Sequence, residues 1–235
     1  MARFAAGSLH IQRVAAFDET PQEGVIVDSF NQELNRMGGT LVFRQDLALD
    51  TTDFTEFLKE AHAKGAQAIY AATAGGFACK ARAQMTRMFP AGSYFLGIDG
   101  IYGPECVSDG ADNADGMYAT ISDLDPTHSA DPQVQKLLAS YRARFPKTSP
   151  APYTFAAYDC ALLLIDAITR AMAANGGTIP SRPQVLNAVA HAQFSGVTDK
   201  YSFDSFGDVI SPLMSLYQVH NGRWVFIEQI DASSR

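Results

Sequence analysis

Asp99 follows the apolar run 94–98 without a spacer and is flanked by Gly100, which leaves a carboxylate at the end of a candidate strand. A carboxylate so placed accepts charge-assisted hydrogen bonds from a cation, or caps the turn that follows it. Two more loops stand in the same relation to apolar runs: 18–22, ending on Gln22, and 73–77, where Thr73, Ala74 and Gly75 offer a hydroxyl and backbone N–H groups or form a tight strand-to-helix turn. In open α/β sheets ligands lie outside the carboxyl ends of the strands. The loops 18–22, 73–77 and 99–102 are therefore the candidate site, with Tyr102 as an aromatic wall or a surface tyrosine.

Covalent and metal chemistry find no scaffold. The sequence has no G-x-S-x-G, H-E-x-x-H, G-x-x-x-x-G-K-[ST] or G-x-G-x-x-G pattern. His10, His62, His128, His191 and His220 lack ligand spacing and read as surface or capping residues. Asp109, Asp112 and Asp115 recur every third residue, which misses the alternate-position calcium loop. Gly75-Gly76 opening a helix is a weak phosphate cradle, and it keeps a flavodoxin-like or hydrolase α/β enzyme as the minor alternative. No catalytic residue, metal or cofactor is expected. Cys79, Cys106 and Cys160 are odd in number and form no C-x-x-C, so three buried, inert thiols are expected.

The elements that must position these loops repeat. Candidate strands lie at 13–17, 40–46, 67–72 and 94–98, starting every 27 residues, the length of one strand, one helix and two short loops. A Rossmann-like α/β fold with a parallel sheet follows. Between the strands, Ile26, Phe30, Leu34 and Met37 form one helical stripe that Gly38-Gly39 ends, and Phe54, Phe57, Leu58 and Ala61 form another that ends at Gly65. A third helix is expected over 76–88, and a fifth strand at 117–120 after a polar loop, 108–116.

Asp131-Pro132 opens a helix bearing Val134, Leu137, Leu138, Tyr141 and Phe145. Pro146, Pro150 and Pro152 mark a hinge-like connection. Beyond them 153–174 is apolar around most of its circumference, with Asp159, Asp166 and Arg170 on one narrow face, and so expects cover on several sides. A shorter helix spans 181–190, and Asn221-Gly222 joins two alternating runs as a hairpin.

The chain has 235 residues, 47% apolar and 18% charged, which suits an ordinary globular protein. Eighteen basic residues against 25 acidic ones, a net charge of -7, argue against nucleic acid or an anionic membrane as partner. No run approaches the ~20 apolar residues of a membrane span. The opening residues lack the apolar core of a signal peptide, so no export signal is expected in them.

Several stretches, in order, resemble the type I periplasmic binding protein family and its branched-chain amino-acid (leucine, isoleucine, valine) subgroup. They are Arg13-Val14-Ala15-Ala16-Phe17-Asp18-Glu19-Thr20-Pro21-Gln22-Glu23-Gly24, Asp53-Phe54-Thr55, Ala66-Gln67-Ala68-Ile69-Tyr70, Phe95-Leu96-Gly97-Ile98-Asp99-Gly100, Ala114-Asp115-Gly116-Met117-Tyr118, Ala156-Ala157-Tyr158-Asp159, the run from Phe194-Ser195-Gly196 to Phe203-Asp204, and Leu216-Tyr217-Gln218-Val219. The resemblance implies a type I periplasmic binding fold with one complete α/β lobe (lobe 2) at 10–125, a helix and hinge connection at 126–152, the helical remainder of an incomplete lobe 1 at 153–212 and a hinge hairpin at 213–235. Lobe 1 would lack its N-terminal half, leaving helix 153–174 uncovered and prone to self-association.

It also implies a function: non-enzymatic capture of a small amino-acid-like ligand and delivery to an ABC transporter permease, in a periplasmic or extracytoplasmic location. A sensory or regulatory module of the same fold is the alternative. Asp99 would receive the ligand's ammonium, and Thr73, Ala74, Gly75, Gln22 and Tyr102 would line the site. Gln22 stands where the family often has an aromatic, and Ala74 replaces a bulkier side chain seen in some members. Both changes imply a roomier or more polar pocket.

Overall fold

The 27-residue spacing of apolar runs becomes a parallel sheet in the computed structural model, which describes residues 1–19, 21–73, 76–110, 114–123, 125–210 and 213–231. The chain divides into two units, Met1–Ile121 with Leu216–Ile227, and Ser122–Ser215 with Glu228–Arg235.

Helix α1 (Ala2–Gly7) precedes β1 (Arg13–Asp18), α2 (Pro21–Arg36), β2 (Thr40–Asp46), α3 (Thr55–Ala63), β3 (Ala68–Ala72), α4 (Cys79–Met85), β4 (Tyr94–Gly97), α5 (Pro104–Gly110) and β5 (Met117–Ile121). In the second unit come α6 (Pro132–Arg144), α7 (Thr154–Ala174), α8 (Arg182–Ala190), β6 (Phe194–Ser195) and β7 (Lys200–Tyr201). The hairpin strands β8 (Leu213–His220) and β9 (Arg223–Asp231) close the chain. The main sheet runs β2-β1-β3-β4-β5-β8-β9, and β1 to β5 pair in parallel. Gly116 N–H reaches Val219 O at the start of β5, and Ser215 Oγ reaches Asp123 O just past its end, so β8 runs antiparallel to β5.

Strands β3 and β5 are buried at every residue, because helices cover both faces. On one face Phe17, Phe54, Phe57, Ile69, Phe95 and Met117 cluster; on the other lie Val14, Ala16, Phe30, Leu34, Tyr70 and Leu96. Each such large side chain contributes about 1.5–3 kcal/mol by leaving water. The α2 stripe differs from expectation: Val27, Phe30 and Leu34 are buried, while Ile26 and Met37 are exposed, so the packed face is rotated by one position.

Three local readings are corrected. The expected helix 76–88 is a 3-10 turn over Gly76–Ala78 followed by α4, and the polar loop 108–116 begins inside α5, which is too short to show a period. Helix α1, six residues long, had no periodic signal at all; it seats Ala2 and Ala5 in the core and Phe4 on Tyr118, with ring centroids 5.1 Å apart. The expected three buried, inert thiols are also wrong: two are bonded to each other and the third is exposed. Cys79 and Cys106 form a disulfide with Cα atoms 4.9 Å apart across a separation of 27 residues. One full βα period lies between them, so they occupy matching places on neighbouring helices. Cys160 is free and exposed.

In the second unit α6 starts on Asp131, whose Oδ1 accepts from Gln133 N–H at 2.7 Å, and it buries Val134 and Leu138. Helix α7 buries Phe155, Asp159, Leu163, Ala167 and Ala171, one residue per turn. Its other side leaves Tyr158, Leu164, Ile165 and Ile168 exposed, and α8 buries none of its residues. Asp159, read as part of a polar face, points inward instead. Its carboxylate accepts from Val197 N–H, Thr198 N–H and the Thr198 hydroxyl at 2.7, 2.7 and 2.6 Å. Gly196 is required beside it, since a Cβ there would lie 2.5 Å from Asp159 Oδ2.

Candidate functional site

Parallel register aligns the strand ends of the first unit. Asp18 of β1 pairs with Ala72 of β3, and Ala71 of β3 pairs with Gly97 of β4, so Glu19, Thr73 and Asp99 emerge at one edge of the sheet. Thr73 is fully buried, and its Oγ1 donates to Glu19 Oε2 at 2.5 Å. Asp99 opens a 3-10 turn over Asp99–Ile101 and is exposed to solvent. Behind it the Tyr70 ring stacks on Phe30 with centroids 4.0 Å apart. Burial pushes the Tyr70 phenol up, and the charge of Asp99 adds to that rise. The edge thus presents carboxylates toward solvent, backed by apolar rings.

Asp18 is a deeper acid at the same edge. It is 1% exposed and lies opposite Asp46 in the β1–β2 register; its Oδ2 meets Arg44 Nη2 at 2.7 Å as a charge contact off the hydrogen-bond angle, and Arg44 Nη1 donates to Asp28 at 2.7 Å. Burial pushes the Asp18 carboxyl from 3.8 up to about 6, a hydrogen bond with Asp46 adds to the rise, and Arg44 offsets part of it. The folded protein therefore holds a proton that the unfolded chain has released, and stability falls as pH rises from about 4 to about 6. Asp18→Asn should flatten that slope, a difference of up to ~3 kcal/mol at about 1.4 kcal/mol per pKa unit. Urea unfolding of both proteins at pH 4, 5, 6 and 7 checks it; parallel pH profiles would overturn the assignment.

Tyr102 belongs to an aromatic cluster. Its ring lies 4.6 Å from Tyr217 and 5.2 Å from Trp224, and Trp224 Nε1–H donates to Gly103 O at 2.9 Å. The hairpin is seated by Asp115, whose carboxylate accepts from Asn221 N–H and Gly222 N–H at 3.2 and 3.3 Å across a turn with φ of +51° and +69°. Asp115, weighed and set aside as a calcium ligand, has this structural role.

Of the residues expected at the site, Thr73 and Asp99 stand on neighbouring strand ends, and Tyr102 lies three residues past Asp99 with its ring turned into the cluster. Gln22 falls in the first turn of α2, and its side chain lies outside the described residues, as do Ala74 and Gly75 altogether. Glu19 was inside the loop singled out but received no role. Its signal was the one that exposed Asp99, an acid at the end of an apolar run. Trp224 and Tyr217 had no sequence signal, because they join the edge from more than 110 residues away. A separate cleft of about 460 Å³ on the flank, lined by Thr52, Asp53, Lys80, Gln84, Arg87 and Asp109 among others, takes in none of these residues.

Among known proteins, the family model described as periplasmic binding protein matches residues 1–223. No curated protein matches the chain. A solved structure of a leucine-binding protein, LivK, from Thermotoga maritima is 24% identical with a TM-score of 0.84, covering 100% of this chain and 65% of its own. The branched-chain amino-acid substrate-binding protein LivJ from Streptococcus pneumoniae, in complex with isoleucine, is 20% identical with a TM-score of 0.74, covering 98% of this chain and 63% of its own. A solute-binding protein from R. palustris in complex with benzoate is 18% identical with a TM-score of 0.73, covering 96% of this chain and 60% of its own. At these identities the likeness establishes the fold. The chain spans less than two thirds of the length of these structures.

Proposed function

Because the chain belongs to the periplasmic binding protein family, we propose that it holds a small amino-acid-like ligand against the strand ends of its first unit and passes it to an ABC transporter permease, without covalent chemistry. The observation that carries this reading is the acidic edge. Glu19 and Asp99 emerge at the same edge, on either side of Thr73 at the end of the intervening strand β3, while Arg44 near that edge is engaged with Asp18 and Asp28. A carboxylate edge recognises an ammonium through charge-assisted hydrogen bonds and repels a lone carboxylate. Of the two ligand types in the relatives' structures, isoleucine carries an ammonium and benzoate does not. The amino acid fits this edge and the aromatic acid does not. Ligand selection among amino acids then falls to Thr73, Tyr102 and the loop positions Gln22, Ala74 and Gly75.

The same reading places the chain outside the cytoplasm. A buried Cys79–Cys106 disulfide suits an oxidising compartment, where such bonds persist.

Calorimetry with leucine, isoleucine, valine, benzoate and a nucleotide tests the proposal, on this chain and on the chain extended to the length of its relatives. We expect an amino acid to bind the extended form and benzoate to bind neither. Nucleotide binding with no response to any amino acid sinks the transport reading.

A further inference from the structure

We propose that the Cys79–Cys106 disulfide is a positioning clip for the ligand edge, fixing the spacing between the loop that carries Thr73 and the loop that carries Asp99. The inference rests on the reading of that edge as a ligand wall. Cys79 is the first residue of α4, six residues past Thr73, and Cys106 lies in α5, seven past Asp99. The bond therefore joins, at 0% and 2% exposure, the two helices that leave the two site loops.

Each loop is also held on its far side, by a different device. Thr73 donates to Glu19, and Phe77 stacks on Phe54 with centroids 6.1 Å apart. Past Asp99, Ile101 packs so closely over Gly97 that a Cβ there would lie 2.6 Å from Ile101 Cδ1, and Trp224 holds Gly103 O. Those contacts tie each loop to the strands, the neighbouring loop and the start of α3. The disulfide is the covalent tie between one loop's helix and the other's. Without it, α4 and α5 lose their covalent link; the β3–β4 ladder still sets the strand ends at Ala71 and Gly97, but the loop segments past that ladder are freer to shift against each other. Groups already fixed at their bound spacing lose less freedom when a ligand arrives, so the clip raises affinity by preorganisation.

A staple that merely stabilised the unit would act everywhere in it, which separates the two roles. Hydrogen exchange is compared between the oxidised chain, the same chain reduced with dithiothreitol, whose two thiols close to a cyclic disulfide as Cys79 and Cys106 become thiols, and the C79A/C106A variant. We expect the amides of 76–80 and 99–106 to exchange at least tenfold faster in both thiol-free and reduced forms, with β1 and β3 unchanged and protection restored on reoxidation. Emission of Trp224, the single tryptophan, should shift with the 99–103 loop it touches. Exchange that stays the same, or that rises uniformly across the unit, overturns the clip. Where the variant fails to fold, the reduced wild-type chain decides. Leucine titration of the extended chain separates the two readings. An affinity loss of roughly tenfold on reduction accompanies the clip, whereas selective loosening in a protein that binds no amino acid leaves the clip standing and removes the ligand reading.

Discussion

Asp159→Ala is expected to lower the stability of the second unit by about 3–5 kcal/mol while leaving the first unit's transition in place. The carboxylate has no exposure and accepts from two backbone N–H groups and one hydroxyl, with the Tyr201 hydroxyl at 3.4 Å. Removing it takes the acceptor from Val197 N–H and Thr198 N–H, at about 1–3 kcal/mol for each buried group left without its partner, while the Thr198 hydroxyl keeps the Tyr201 hydroxyl at 3.2 Å. It also frees the turn at 196–198 from α7, whose carboxylate packs so closely on Gly196 that a Cβ there would lie 2.5 Å from Asp159 Oδ2. Asp159→Asn should cost less, since one oxygen is kept and one acceptor becomes a donor facing a donor. Denaturant unfolding followed by far-ultraviolet circular dichroism reads the helices of both units together, and Trp224 emission reads the first unit alone, so the second unit's transition is the part of the dichroism change that the emission does not share. Equal shifts in both signals, or no shift in the first, would show that the carboxylate is not the tie between helix and turn.

The second large effect is on binding. Asp99→Ala in the extended chain should weaken leucine by roughly thirtyfold to several thousandfold, which corresponds to ~2–5 kcal/mol for truncating one partner of a charged hydrogen bond. Thr73→Val is the contrasting variant. It removes a neutral hydroxyl bonded to Glu19 and should weaken binding by about tenfold or less. Calorimetry gives both constants. An Asp99→Ala protein that binds leucine as tightly as the parent excludes the ammonium contact and would move the site to Glu19.

What the sequence made readable, and what it hid, divides by range. Strand β2 was expected at 40–46 and is found there, because Thr40 to Asp46 is bounded by Gly38-Gly39 and a polar loop. Asp99 was visible because its meaning is local, an acid at the end of an apolar run. Asp159 was misread because its partners lie 38 and 39 residues away; within α7 it shares a face with Asp166 and Arg170, and nothing nearby marks it as the one turned inward. Trp224 escaped for the same reason. The disulfide was hidden differently. An odd cysteine count argued against pairing, yet the separation of 27 residues equals the strand spacing already noted, and equal phase in a βα repeat places two residues side by side. Helix α1, with six residues, offered too few turns for any period to appear.

The place of β8 in the sheet has a consequence for synthesis. Strand β8 starts 92 residues after β5 ends, at 213 against 121, yet it is the neighbour that covers the open edge of β5. At ~5–20 residues per second, a nascent chain has already made five parallel strands but waits roughly 5–20 s before that edge can be closed. During this interval a strand that is buried at every residue in the folded chain, Met117–Ile121, displays unpaired N–H and C=O groups, the template on which a second chain can add a strand. Whatever escorts the chain from the ribosome therefore has one particular stretch to shield until its own C-terminal hairpin arrives.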